Sequence, residues 1–301
     1  MKVLLCGDMD VAETAQWHDA LAAALPEARW LDMAAARARP AEVQAAVVAN
    51  PPPGSLQGLP HLRLIQSLWA GVDRLLADAT LPAGVPIARM VDPAMSAAMA
   101  ETALWAVLSL QRDFFVYAQQ QRQGVWLQHA QRRADDLRVL VLGQGAMGRA
   151  TVDRLVPLGY RVMGWRRDGS ALAPLLAQAD IVINLLPLTP ETRGLPDARF
   201  FAALPAGAAV VNLARGAHVV DADLLAALDV GHLRHAVLDV FHTEPLPAGH
   251  PFWSEPRIAL TPHTSARTLR AESIAQIAGK IAQLQAGDAG IRGVVDVRRG
   301  Y

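Results

Sequence analysis

The sequence predicts an α/β protein with two doubly wound parallel-sheet domains, the second inserted into the first. Three observations carry this expectation. Short apolar runs rich in Val, Leu and Ile alternate with helical patterns, the order that builds parallel sheets from strand–helix–strand units. The alternation occurs twice, once before a long helical pattern that begins near Ala97 and again, more regularly, from Arg138 onwards. A last amphipathic pattern, TLRAESIAQIAGKIAQLQAG, then closes the chain and is placed to return to the first domain. The expected division is residues 1–98 with 268–301 as one domain and 99–267 as the other, with two crossings that make a hinged cleft. A chain of 301 residues suffices for two cores of ordinary size.

Taken in order, KVLLCG reads as a strand, ETAQWHDALAAAL as a helix closed by Pro26, and AAVVAN, LRLIQSL and VPIARM as three further strands. Asn50 to Gly54 (NPPPG) can continue neither element and is a loop. The pattern ETALWAVLSLQRDFFVYAQQQRQG is apolar nearly all round in its first half and polar in its second, and predicts one connector helix ending at Gly124. After the charged stretch QHAQRRADD come the strand RVLVL, the helix MGRATVDRLVPLG, the strand YRVMGW, the short helix ALAPLLAQA and the strand DIVINLLP. The loop TPETRGLPD leads to the strand AAVVNLA, the helix DADLLAALDVG, and the strands HAVLDVF and RIALTP. Their continuous apolar character is that of parallel strands buried on both faces. Gly287 stops the final helix, and the tail GIRGVVDVRRGY holds one more strand-like piece.

Composition excludes several function classes. Lys plus Arg and Asp plus Glu balance at 28 each, so nothing in the net charge points to nucleic acid or an anionic membrane. The one cysteine, Cys6, lies in an apolar run and reads as a buried, inert thiol. No segment reaches the uninterrupted apolar length that spans a bilayer, and the N-terminus enters a strand without a signal-type region, so a cytoplasmic protein is expected. His232, His235 and His242 have no companions at metal-ligand spacing, and no metal is expected.

Chemistry enters at Gly143, Gly145 and Gly148, the spacing G-x-G-x-x-G between a buried strand and a helix. The first glycine permits the tight turn, the second leaves no Cβ between backbone and a pyrophosphate, and the third lets the helix pack close to its strand. A dinucleotide's phosphates would face the helix's unpaired N–H groups. About 20 residues beyond the first glycine, an acidic side chain normally binds the ribose hydroxyls of NAD. The chain there reads Gly164-Trp165-Arg166-Arg167. Two guanidiniums suit a 2′-phosphate, so NADP(H) is favoured over NAD(H), with Asp168 close enough for one residue of register shift to matter.

Four further stretches fall at strand ends, where open α/β sheets place ligands: SLWAGVD (67–73), NLARG (212–216), DVFHTEP (239–245) and TPHTSA (261–266). With GQGAMG they resemble the D-isomer-specific 2-hydroxyacid dehydrogenase family over essentially the whole chain, and HPFWSEPRIALTPH is most similar to its glyoxylate/hydroxypyruvate reductase branch. The resemblance implies a Rossmann dinucleotide-binding domain inserted into a flavodoxin-like substrate domain. It also implies reduction of a small anionic 2-keto acid and a homodimer built through the Rossmann domain.

Keto-acid reduction needs a carboxylate anchor, a proton donor and a hydride donor held over the carbonyl carbon. Arg215 can supply the first through its planar fork. His263 can supply the proton, and the family pairs it with the position of Glu244, whose carboxylate would favour the imidazolium and fix its orientation. The resemblance gives the Trp69, Ala70 and Gly71 loop to the substrate together with Arg215 and His263, with Trp69 narrowing the pocket towards two- or three-carbon acids. To the cofactor it gives Ala146, Met147, Trp165, Leu186, Pro187, Leu188, Thr192, Leu213, Ala214, Asp239 and His263 besides the glycines and arginines. Two alternatives stay open at this stage: reduction of a larger D-2-keto acid, and a nucleotide-sensing module without turnover.

Overall fold

The structure, a computed structural model, describes residues 1–288 and 290–300. The chain divides into two units, one formed by Met1–Asp92 with the chain from Thr268 on, the other by Pro93–Arg267. The elements of the first stretch are β1 (Lys2–Gly7), α1 (Val11–Ala24), β2 (Arg29–Leu31), α2 (Met33–Ala38), β3 (Ala45–Ala49), β4 (Leu64–Ser67), α3 (Asp73–Leu76) and β5 (Ile87–Ala88). The second unit runs through α4 (Pro93–Gln111), α5 (Phe114–Gln123), β6 (Arg138–Leu142), α6 (Ala146–Leu155), β7 (Arg161–Trp165), α7 (Ala173–Leu176) and β8 (Ile181–Asn184). It continues with α8 (Ala198–Ala202), β9 (Ala208–Asn212), α9 (Asp221–Asp229), β10 (Leu233–Leu238) and β11 (Ile258–Leu260), and α10 (Arg270–Gln285) belongs to the first unit.

In the first unit the strands lie in the order β2-β1-β3-β4-β5, all parallel. Helices cover both faces, which is why β3 and β4 are buried along their whole length, β3 as an unbroken apolar run and β4 with Gln66 and Ser67 buried in it. Trp17 and Leu21 of α1 pack with Ile277, Ile281 and Leu284 of α10 over one face. Cys6 lies among Leu4, Val48 and Ile65 on the other, where burial pushes its thiol up to about 12 and leaves it protonated. Asp10 and Asp32 open α1 and α2, each accepting a backbone N–H three residues on at 2.7 Å.

The strand β2 and helix α2 depart from the expectation of four strands here. With three residues, β2 is too short to display a period, and it is recognised only by its pairing with β1. The tail forms no strand among its described residues but places Val294 in an isolated antiparallel bridge to Ala88. Val295 N–H donates to the Ile87 carbonyl at 2.8 Å and Arg89 N–H to that of Gly293 at 2.9 Å. Lys280, buried in α10, donates from Nζ to the Arg89 carbonyl at 2.7 Å, and desolvation lowers its pKa to about 8.

The second unit has six parallel strands in the order β11-β10-β9-β8-β6-β7. The expected connector helix is a core element instead. It begins at Pro93, six residues ahead of the expected boundary, because Met99, Ala103, Ala106, Val107 and Leu110 pack on Val139, Val141, Ile181 and Ile183 of this sheet. It also breaks at Asp113, whose φ of 55° is left-handed, so that α5 starts as a separate helix. By length and composition α4 could cross a membrane, contrary to the expectation that no segment would; half of that window is buried inside the unit.

Two of the three motif glycines are fixed by contact. Gly143 has φ +96°, and a Cβ on it would stand 2.6 Å from the Leu185 carbonyl oxygen. A Cβ on Gly148 would lie 1.8 Å from the Gly143 carbonyl oxygen, so the first turn of α6 rests directly on the end of β6. Gly148→Ala is therefore expected to cost about 1–3 kcal/mol or more through overpacking. A thermal melt with Tm unchanged from the parent would contradict that close approach.

Candidate functional site

Two groups of residues occupy the carboxyl edge of the second sheet. The first surrounds the start of α6. Gly143 N–H donates to the Trp165 carbonyl at 2.8 Å, continuing the parallel β6–β7 pairing one residue past β6. Gly145 is the N-cap of α6 and has no side chain to satisfy the first helical N–H groups, and no atom lies within 4 Å of where its Cβ would be. These donors therefore face open space, with the positive end of the helix dipole behind them.

Beside them is a cavity of about 330 Å³ lined by Gln144, Arg149, Gly164, Arg166, Asp168 and Ser170. Gly164 leaves room there for the Gln144 carboxamide, which a Cβ would approach to 2.7 Å and push aside. Arg149 Nε donates to the Gln144 carbonyl at 3.0 Å, and Arg166 Nε donates to Asp168 Oδ2 at 2.6 Å. That bond is the main reason the Asp168 carboxyl is held down at about 2. Uncapped helix N–H groups, an open position at Gly145 and two guanidiniums fit a nucleotide carrying several phosphates.

The anticipated cofactor residues divide. Arg166 lines the cavity, whereas Arg167 turns away, its Nη1 2.5 Å from Glu191 Oε2. The Trp165 ring is packed in the core with Nε1 donating to the Ser170 carbonyl at 3.1 Å, so it supports the loop from beneath. Thr192 is buried, donating to the Pro187 carbonyl and accepting from Thr189 N–H, both at 2.8 Å. Leu186, Leu213 and Ala214 are buried side chains, leaving their backbone as the part that can meet a ligand. Gln144, Arg149 and Ser170 were not anticipated. A signal for Arg149 exists, because four residues beyond Gly145 it stands over the first turn of the helix.

The second group follows β9, β10 and β11, adjacent parallel strands whose ends share one edge. Asn212 ends β9, and its side-chain amide donates to the Arg215 carbonyl at 2.9 Å, fixing the turn that carries Arg215. The Arg215 guanidinium donates to the Ala214 carbonyl at 2.7 Å. Gly216 follows because there is no room for more: a Cβ would lie 1.9 Å from the Phe241 carbonyl carbon. The Arg215 turn is thus pressed against the segment that leads to Glu244.

Glu244 is held at both oxygens. Its Oε1 accepts Phe241 N–H at 2.9 Å, and its Oε2 is 2.6 Å from Nδ1 of His263. The imidazole is about half exposed, and with Nδ1 on the carboxylate its Nε2 is the nitrogen left for proton exchange. His263 sits at φ 51°, a strained conformation for a residue with a side chain, of the kind that marks functional positions. Asp239 sustains that strain. Its backbone carbonyl accepts His263 N–H at 2.8 Å, and its buried carboxylate accepts Thr261 Oγ1 at 2.6 Å, Thr264 N–H at 2.9 Å and Ser265 N–H at 3.0 Å. The Asp239 side chain thus clamps the loop on either side of His263.

His242, His250 and His235 are held by protein groups. His242 donates to the Val219 carbonyl at 2.8 Å, and with His250 it flanks Asp221 at 3.5 Å on each side. His235 is buried beside Arg234, and desolvation lowers its pKa to about 4. Among the described residues no group of three or more His, Cys, Asp or Glu side chains could hold a metal ion. In the first unit, the Trp69 loop is shaped by Ser67 Oγ, which accepts Trp69 N–H at 3.0 Å, with Trp69 and Ala70 partly buried.

Residues 104–265 match the family model described as "D-isomer specific 2-hydroxyacid dehydrogenase, NAD binding domain". A glyoxylate/hydroxypyruvate reductase A of Serratia proteamaculans is 40% identical over 303 residues, covering 95% of this chain and 96% of the relative. Among solved structures, a D-isomer-specific 2-hydroxyacid dehydrogenase of Xanthobacter autotrophicus, in complex with NADPH and MES, is 39% identical with a TM-score of 0.90 over 100% of this chain and 99% of its own. An NADPH-dependent glyoxylate/hydroxypyruvate reductase of Sinorhizobium meliloti, in complex with NADP and sulfate, is 32% identical with a TM-score of 0.89 over 100% and 99%.

Proposed function

Because the chain belongs to the D-isomer-specific 2-hydroxyacid dehydrogenase family, we propose that it reduces a small 2-keto acid, glyoxylate or hydroxypyruvate, to the 2-hydroxy acid with NADPH as reductant. The observation that carries this reading is the 2.6 Å pairing of His263 Nδ1 with Glu244, on the sheet edge that also bears the Arg215 turn. Bound NADPH supplies the hydride. Arg215 binds the substrate carboxylate and polarises the neighbouring carbonyl. His263 delivers a proton from Nε2 to the carbonyl oxygen as negative charge develops there, and Glu244 balances the imidazolium beforehand. The α6 N-terminus would hold the pyrophosphate, and Arg166 with Arg149 would meet the 2′-phosphate, joined by Arg167 where it leaves Glu191.

Loss of NADPH absorbance with glyoxylate, hydroxypyruvate and pyruvate tests the assignment directly. No turnover with any of the three would end it. The cofactor preference is supported by the relatives from Xanthobacter autotrophicus and Sinorhizobium meliloti, in complex with NADPH and NADP. Trp69, with Ala70 and Gly71, enters through the family resemblance. Trp69→Ala should relax the selection against longer keto acids by about tenfold in relative kcat/KM, the lower end of what one methylene is worth in an apolar pocket. An unchanged profile would remove Trp69 from the pocket. A homodimer through the second unit is supported by Trp126, 94% exposed, and its exposed neighbours Val125 and Leu127.

A further inference from the structure

The tip of β7 carries more than a preference for NADPH requires. Both of its arginines already hold a carboxylate: Arg166 that of Asp168 at 2.6 Å, and Arg167 that of Glu191 at 2.5 Å. The first pair lies on the wall of the 330 Å³ cavity, while Glu191 draws Arg167 towards the loop after β8, where Thr189 Oγ1 also donates to it at 2.8 Å. Guanidinium forks recognise carboxylate and phosphate alike, so a 2′-phosphate has to compete with both carboxylates. The competition is feasible because the pairs stand in water, with Arg166 67% and Glu191 59% exposed. An ionised carboxylate at this strand tip is also the group that accepts a ribose 2′-hydroxyl when no phosphate is present. Asp168 is ionised throughout the physiological range, its carboxyl held at about 2 first by the Arg166 bond.

Resting on the reading above that NADPH is the reductant, we propose that Asp168 and Glu191 are specificity-determining residues. They are internal counter-anions that the 2′-phosphate displaces from Arg166 and Arg167, with Asp168 accepting the 2′-hydroxyl of NADH instead. Selection for NADPH is then weaker than two arginines alone would make it.

Asp168→Asn isolates the charge, since an amide oxygen still accepts Ser170 N–H and keeps the turn. Glu191→Gln does the same for the Thr189 contact. Titration calorimetry on the full chain, with NADPH and NADH and no keto acid, should show Asp168→Asn tightening NADPH by about two- to fivefold, the scale of an exposed ion pair, while NADH weakens. Adenosine 2′,5′-bisphosphate should follow NADPH, and 5′-AMP should follow NADH. Glu191→Gln should tighten NADPH by a smaller factor and leave NADH unmoved. An NADPH-to-NADH ratio of Kd values that stays at the parent value in both variants, or moves towards NADH, would overturn the proposal. Since no keto acid is present, a protein that shows the tightening yet reduces no 2-keto acid refutes the reductase reading and leaves this inference standing.

Discussion

His263→Gln should lower kcat by about 10²–10⁴-fold, the range for a positioned proton donor, with the Kd for NADPH little changed. The glutamine can still meet Glu244, but it has no proton to give at neutral pH, so the alkoxide must take one from water. Cofactor affinity is insulated because the phosphate donors stand at the head of α6, on a different strand end from the His263 loop. Single-turnover kinetics with preloaded NADPH would separate the two effects. A kcat within a few-fold of the parent would assign the proton to another group and leave Glu244 without a task.

Arg215→Lys should lower kcat/KM by about 10–10²-fold, the worth of one or two hydrogen bonds to a charged partner, mostly through KM. The ammonium keeps the charge but loses the fork that grips two carboxylate oxygens at once. The turn itself should survive, since it is fixed by backbone contacts: Asn212 holds the Arg215 carbonyl, and Gly216 rests on Phe241. Comparing glyoxylate with its aldehyde analogue lacking the carboxylate makes the result specific. If both substrates lose equally, Arg215 does not read the carboxylate.

Much of this was legible from the chain because the signals are local. Gly143, Gly145 and Gly148 lie within six residues of one another, and the buried runs of β3, β6 and β9 declare themselves by composition. What escaped depends on partners distant in sequence. Nothing near Arg167 announces that Glu191, on the exit from β8, will turn it out of the cavity. Nothing near Asp239 announces that Thr261, Thr264 and Ser265 will take its carboxylate. The helix break at Asp113 escaped for a related reason: Arg234 of β10 pairs with that aspartate at 3.1 Å, and no glycine or proline marks the spot.

The late segment laid against β5 has a consequence for life in a crowded solution. A terminal strand of two residues would otherwise expose bare amide and carbonyl groups onto which a foreign strand could add. Residues 293–295 occupy that margin, running opposite to the five strands beside them, and Lys280 secures the junction from within. Growth of the first sheet by recruiting other molecules is therefore blocked on this side by the protein's own backbone.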